Sequence, residues 1–422
     1  MVNPGPGDHR ILVAQLGARN HYAAPIAFHK RGLLAYLYAD FYLRPSSLYG
    51  TLVRQWSRLP GYLQPAIVQR AMGRVVEPLP PGMVKSFDVV GIGMALGSSL
   101  VRKPLRLRDF MAVLYGSWFC RLVVRDCPSD ITTVYAFNSA ALELFEWARR
   151  QGIRCVLEQV SAPRLKEEAL VSEEYRRWPG WERKHKVRFV QQFAERERRE
   201  WELADLIVTG SRFVADGLID EGVCPSQIRV VPYGLGSRIF EPDREVQTTN
   251  SRPLHVLFAG AVKLAKGVQY LYQALNRLNL QETEVKIVGP IFLTKPALAK
   301  LQERCHVPGM VPRLKMPEVY RWADIFVFPT ICEGSALVVY EALASGLPVI
   351  TTPNAGSIVR DGVDGFIVPI RDPDALADRI QRLASDIRLR REMAQNALER
   401  ARDEGSLQRY QESLTRAILL LD

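Results

Sequence analysis

Short runs of apolar residues recur along the chain and alternate with longer stretches in which apolar positions return every three or four residues. The runs are Ile11–Leu16, Thr133–Phe137, Cys155–Val160 and Leu206–Thr209 in the first half, then Val256–Ala259, Val285–Val288, Ile325–Pro329 and Pro348–Thr352 in the second. Strand-then-helix alternation of this kind predicts parallel sheets covered by helices on both faces, one sheet in each half. Between the halves lies a polar, aperiodic piece, Ser237–Pro253, with Glu241, Pro242, Asp243 and Arg244 followed by Thr248–Ser251. Low apolar content marks it as a surface linker or hinge, which puts the domain boundary near Asn250. The expected organisation is therefore a first domain over 1–250 and a second over 251–405, both α/β, Rossmann-like and doubly wound, facing a central cleft. In the last segment Leu407, Tyr410, Leu414, Ala417, Ile418 and Leu421 fall at helical spacing. Residues 406–422 should therefore form a helix that docks one face on a neighbouring domain, the first domain being the candidate.

Length and composition agree with this picture. The 422 residues suit two domains, and 47% hydrophobic with 24% charged residues argues against disorder and against a multi-span membrane protein. The longest apolar stretches, Val89–Val101 and Phe110–Val124, fall short of the roughly 20 residues that cross hydrocarbon, and the second contains Arg121. The first ten residues lack the basic flank and cleavage pattern of a secretory signal, so a cytoplasmic location is expected. Six cysteines without C-x-x-C spacing suit buried or free thiols better than bridges or zinc. The net charge of +11 is uneven, because Phe41–Val76 contains no acidic residue while Arg44, Arg54, Arg58, Arg70 and Arg74 interleave with Tyr49, Trp56 and Tyr62. Lys85, Arg102, Lys103, Arg106 and Arg108 continue the excess. Such a surface attracts anionic lipid head groups or polyphosphates, and the alternative is a solvated basic face. Peripheral contact with the inner face of the plasma membrane follows from the first option.

Candidate chemistry concentrates in the second half. The strand His255–Gly260 leads into the loop Ala261–Lys266 and a helix entered at Gly267. A glycine there lets backbone approach a ligand, and Lys263 or Lys266 can neutralise a phosphate. Further on, Asp324–Pro329 precedes Glu333-Gly334-Ser335-Ala336-Leu337-Val338-Val339-Tyr340-Glu341. Gly334 and Ser335 sit at the expected helix start, where free N–H groups and the positive dipole end face any bound anion, a diphosphate being the natural guest. Glutamates eight residues apart lie roughly 12 Å apart along a helix. That is wider than the roughly 5–9.5 Å of paired carboxylates that cleave glycosidic bonds, so the two should do separate jobs.

This segment resembles the E-x7-E signature of retaining glycosyltransferase family 4, whose members have the two-domain fold called GT-B. The likeness includes Phe258-Ala259-Gly260, Lys266-Gly267, Val288-Gly289-Pro290, Ala323–Pro329, Asn354-Ala355-Gly356 and Asp361–Pro369, and earlier Val230–Gly234. The resemblance implies a nucleotide-sugar donor and an enzyme that moves a sugar to a hydroxyl acceptor in polysaccharide or glycolipid synthesis. It implies that Glu333 lies beside the donor sugar, that Glu341 accepts from the ribose, that Lys266 binds the diphosphate and that backbone around Val311 lies near the base. Gly260, Lys263, Gly334, Ser335, Ala336 and Leu337 complete the expected donor site. Where the family often carries an arginine after the loop glycine this chain has Ala261; either Lys263 replaces the missing charge or the loop binds phosphate more weakly.

The first half should recognise a carbohydrate or lipid-linked acceptor. Gly17, Arg19 and His21 follow the first strand, Asn138 ends Thr133–Phe137, and Glu158 and Gln159 end Cys155–Val160, all polar groups at strand ends. The competing reading is that His21 and Asn138 satisfy local backbone. Gly91-Ile92-Gly93 with Gly97 has the wrong spacing for a dinucleotide fingerprint. Asp372-Pro373-Asp374 reads as a helix N-cap rather than a metal site, so no metal and no cofactor beyond the nucleotide sugar is expected, nor nucleic acid as a partner. The alternatives are a sugar epimerase or phosphorylase on the same scaffold, and a catalytically silent membrane-surface binding protein.

Overall fold

A computed structural model of the chain describes residues 9–17, 19–42, 55, 79–91, 93–94, 108–183, 189–236, 253–278 and 283–421. The first sheet contains β1 (Ile11–Gln15), β2 (Leu34–Ala39), β3 (Val84–Ser86), β4 (Thr133–Phe137), β5 (Arg154–Gln159), β6 (Leu206–Thr209) and β7 (Ile228–Val230). The second contains β8 (Leu254–Ala259), β9 (Thr283–Val288), β10 (His306–Gly309), β11 (Ile325–Phe328), β12 (Val349–Thr351) and β13 (Gly365–Ile367). Strand order is β3-β2-β1-β4-β5-β6-β7 in one and β10-β9-β8-β11-β12-β13 in the other. The β1–β4 and β8–β11 pairings, like their neighbours, are parallel. All eight predicted runs are strands, and both halves are doubly wound.

The pattern of apolar runs did not reveal β2, β3, β7, β10 and β13. Four of these are sheet edges. Edge strands here are short, and β10 is broken by Pro308 and a register shift, so they leave too few positions to establish a period.

Helices cover both faces, and several begin at side-chain caps chosen by chemistry. Ser211 accepts from Val214 N, Asp372 from Ala375 N, Asp386 from Leu389 N and Ser406 from Arg409 N. Asp372 is thus the helix cap that its sequence context indicated. The final helix, Leu407–Leu419, buries Tyr410, Leu414 and Ile418 and packs on the helix Ala23–Lys30 of the first domain. The proposed boundary at Asn250 and nearly all of the basic segment Phe41–Val76 lie outside the described residues, as do Arg102, Lys103, Arg106 and the side chain of Arg108. Lys85 is described, and it pairs with Asp126 at 2.8 Å. Among the described residues, no helix is long and apolar enough to cross a membrane. All six cysteines are free.

Candidate active site

In an open parallel sheet the crevice forms beyond the carboxyl ends of the strands, where the winding direction reverses. Here those points lie between β1 and β4 and between β8 and β11. The loop after β8 carries Gly260, Lys263 and Lys266, and the loop after β11 carries Glu333. Topology alone therefore brings together residues that stand far apart in the chain.

The two loops are tied by hydrogen bonds. Thr330 Oγ1 donates to the Ala265 carbonyl at 3.1 Å and Ile331 N to the same carbonyl at 3.0 Å. Asn354 Nδ2 holds the Ile331 carbonyl from the other side at 2.7 Å. Within this frame the Lys266 ammonium pairs with the Glu333 carboxylate and also donates to the Cys332 carbonyl at 3.0 Å. Lys263, at the N-cap of the short turn Leu264–Lys266, is half-buried. Burial, then the like charge of Lys266, lowers its pKa, so the loop presents two crowded cations suited to an anion.

The helix of the signature starts later than its sequence suggests. It spans Leu337–Ala344 with Ala336 as N-cap, and Ala336 N already donates to the Ala355 carbonyl at 3.0 Å. Gly334 and Ser335 precede the helix, so its first-turn amides belong to Leu337 and Val338. The Ser335 hydroxyl bonds the Gly356 carbonyl at 3.1 Å. Glu341 is buried, receives the Tyr320 hydroxyl at 2.8 Å on one oxygen and pairs through the other with Arg313. Val311 is partly buried against the hydrophobic core, two residues before Arg313.

Residues of the first domain meet this site. A Cβ on Gly334 would stand 2.0 Å from the Val160 carbonyl, and Ser211 Oγ donates to the Gly334 carbonyl. The signature loop is thus pressed against strand ends of the first sheet. Gly17, with φ 78, donates its N–H to Asp40 at 2.9 Å, while Arg19 and His21 are exposed in the turn after β1. Asn138 is buried; its Oδ1 accepts from Val160 N at 3.3 Å and its Nδ2 reaches Glu197 at 3.4 Å. Glu158 is also interior, bonded by the Tyr135 hydroxyl and by the Tyr233 hydroxyl at 3.0 Å, and burial raises its pKa. Gln159 is engaged with Trp201 at 3.0 Å and Glu197 at 3.0 Å. These three strand-end groups are occupied inside the domain, whereas Arg19 and His21 remain open to solvent.

The apolar runs and the signature did not reveal a strap from the first domain onto the second. It comprises the helix Arg164–Arg177 and the stretch to Arg183. Glu174, fully buried, accepts from Arg371 at 2.6 Å, Gln269 at 2.9 Å and Tyr270 at 2.8 Å. Glu182 accepts from Leu264 N at 3.0 Å, fixing the lysine loop from outside. Trp178 and Trp181 pack edge-on at 4.9 Å and meet Tyr270 and Tyr272. The sequence hint was the pair of tryptophans on an otherwise polar stretch.

Solved structures share this architecture. HepE from Anabaena, in a complex with UDP and glucose, is 16% identical and superposes with a TM-score of 0.60 over 97% of this chain and 99% of that one. Sucrose-phosphate synthase from Thermosynechococcus elongatus is 16% identical, with a TM-score of 0.62 over 98% of this chain and 99% of that one. The fold is GT-B. Residues 253–386 match the family described as "Glycosyl transferases group 1", so the second half carries such a domain. A D-inositol 3-phosphate glycosyltransferase from Paenarthrobacter aurescens is 28% identical over 52% of this chain and 60% of its own length. An MMP alpha-(1->4)-mannosyltransferase from Mycolicibacterium hassiacum is 29% identical over 52% of this chain and 55% of its own. The chain thus spans less than two thirds of either relative.

Proposed function

We propose that this protein is a glycosyltransferase that moves a sugar from a nucleoside-diphosphate sugar to a hydroxyl acceptor with retention of anomeric configuration. The observation that carries the reading is the meeting of Lys266 and Glu333 at the winding reversal of the second sheet, beside a helix start that offers free amides. The diphosphate takes the place of Glu333 as partner of Lys266, and Lys263 and the amides of Leu337 and Val338 complete the cradle. As the sugar–phosphate bond breaks, negative charge gathers on the leaving diphosphate, and these groups stabilise it more than they stabilise the ground state. Glu333, released from Lys266, then faces the donor sugar and the positive charge developing at its anomeric carbon. Glu341 accepts from ribose hydroxyls. The acceptor approaches from the first domain, past Arg19 and His21, on the same face as the leaving group, and a phosphate oxygen takes its proton. Contact between Gly334 and Val160 excludes water during the step.

Inositol phosphate acceptors and mannosyl donors are the first to test, given the relatives' names. The experiment is a donor panel of UDP-, GDP- and ADP-sugars with product analysis by NMR. Transfer with a retained anomeric configuration is the expected outcome. Inverted product removes the stereochemical part, and no transfer from any donor removes the enzyme reading.

A further inference from the structure

Glu341 sits in a pocket that is already full. It is 3% exposed, yet both carboxylate oxygens are engaged, one by the buried Tyr320 hydroxyl and one by Arg313. The two partners differ in kind. Tyr320 lies on the helix Met316–Trp322 and is fully buried, so it is a permanent part of the wall. Arg313 lies on the loop after β10, with half of its side chain open to water, between Met310 at 75% exposure and Leu314 at 91%. With its side chain half open to water, Arg313 is the displaceable one of the two partners.

We infer that Arg313 guards the ribose position of the donor site, occupying in the free protein the Glu341 oxygen that a nucleotide's ribose hydroxyl takes when it binds. This rests on the reading that Glu341 receives the ribose. A buried carboxylate requires a counter-charge or strong donors, and Arg313 supplies the charge while the site is empty. An entering nucleotide must exchange that charge-assisted bond for neutral hydroxyl donors, which lowers its apparent affinity. Part of a nucleotide's binding free energy is therefore spent on displacing Arg313. Ligands without ribose do not make this exchange.

That difference supplies the test. UDP, GDP and ADP are titrated calorimetrically against the full-length protein and its Arg313→Ala variant, with inorganic pyrophosphate as the ribose-free reference. Loss of a cation near the phosphates weakens pyrophosphate and nucleotide alike, so the quantity read is the ratio of nucleotide affinity to pyrophosphate affinity. The ratio is expected to rise by about five-fold in the variant, the worth of an ion pair open to water on one side. Discrimination between UDP and 2′-deoxy-UDP is expected to rise with it. Arg313→Gln, which leaves a neutral donor to the buried carboxylate, serves where the alanine variant does not fold, with the same direction expected. An unchanged or smaller ratio overturns the guard while leaving the nucleotide site intact. Failure of every nucleotide to bind the wild type overturns the functional reading and the guard together.

Discussion

Glu333 and Lys266 pair with one another, and in the proposed reaction a bound diphosphate separates them. Glu333→Gln removes the charge that the proposed mechanism sets against the anomeric carbon while keeping the shape and a hydrogen bond. We expect it to lower kcat by about 100-fold or more, the usual size for a group acting on transition-state charge, with UDP affinity equal to or above that of the wild type. Steady-state kinetics alongside calorimetry separates the two effects, and a matched fall in affinity would show that Glu333 serves binding instead. Glu197 offers a second test. Burial is the largest cause lifting its pKa from 4.5 to about 7, against donors from Gln159, the Arg164 backbone and Asn138. Between those values the native state keeps a proton that the unfolded chain has released. Stability therefore falls as pH rises through that window and levels off above it, by about 3 kcal/mol from this group. Glu197→Gln removes this titrating carboxyl, so its unfolding free energy should decline less steeply from pH 4.5 to 7 in denaturant titrations, whatever its absolute stability; equal slopes would contradict the assignment. The signature residues were legible because one loop and one helix carry them in a continuous stretch. Arg313, Tyr320 and the tyrosines around Glu158 were not, because each reaches its carboxylate only through tertiary packing.

At the scale of elements, the interior strands were readable and the edges were not. β4 and β6 are buried on both faces and match the apolar runs residue for residue, whereas β7 has Arg229 and Val230 facing water. The strap 164–183 was hidden for a different reason: it packs as a polar helix whose one buried acid finds its counter-charge nearly two hundred residues later, at Arg371. Such a pair is worth little as a net contribution but much when broken, because the surviving partner is left without compensation. Glu174→Ala should therefore destabilise the protein by roughly 3–5 kcal/mol, stranding Arg371, Gln269 and Tyr270. Chemical denaturation measures this. Limited proteolysis of the variant should give early cleavage within the strap, and a variant as stable and as resistant as the wild type would show that the aromatic contacts suffice.

At the scale of the whole molecule, the described residues at which the chain leaves the first domain and returns to it, around Leu235 and Ser406, lie side by side. Leu235 N donates to the Gly405 carbonyl at 2.8 Å and Leu407 N to the Leu235 carbonyl at 2.9 Å, forming a parallel bridge. Gly234 makes this possible, since a Cβ there would stand 2.2 Å from the Ser406 carbonyl. Any hinge motion that opens or closes the cleft must pass through this paired strip, because the helix Leu407–Leu419 is anchored to the first domain by Tyr410, Leu414 and Ile418. The lysine loop and Glu341 belong to the second domain alone, while the transfer proposed above uses the first domain's Val160 and Ser211 against Gly334. Gly234→Ala forces the two crossings apart at a position outside the residues assigned to the proposed nucleotide and acceptor sites. We therefore expect UDP to bind the variant with wild-type affinity while kcat falls by roughly ten-fold or more, as is usual when a closure step is impaired. Small-angle scattering should show the wild type contracting on addition of donor and the variant failing to do so. If UDP affinity falls in step with kcat, the crossing shapes the nucleotide site itself; if neither changes, closure at this strip plays no part in turnover.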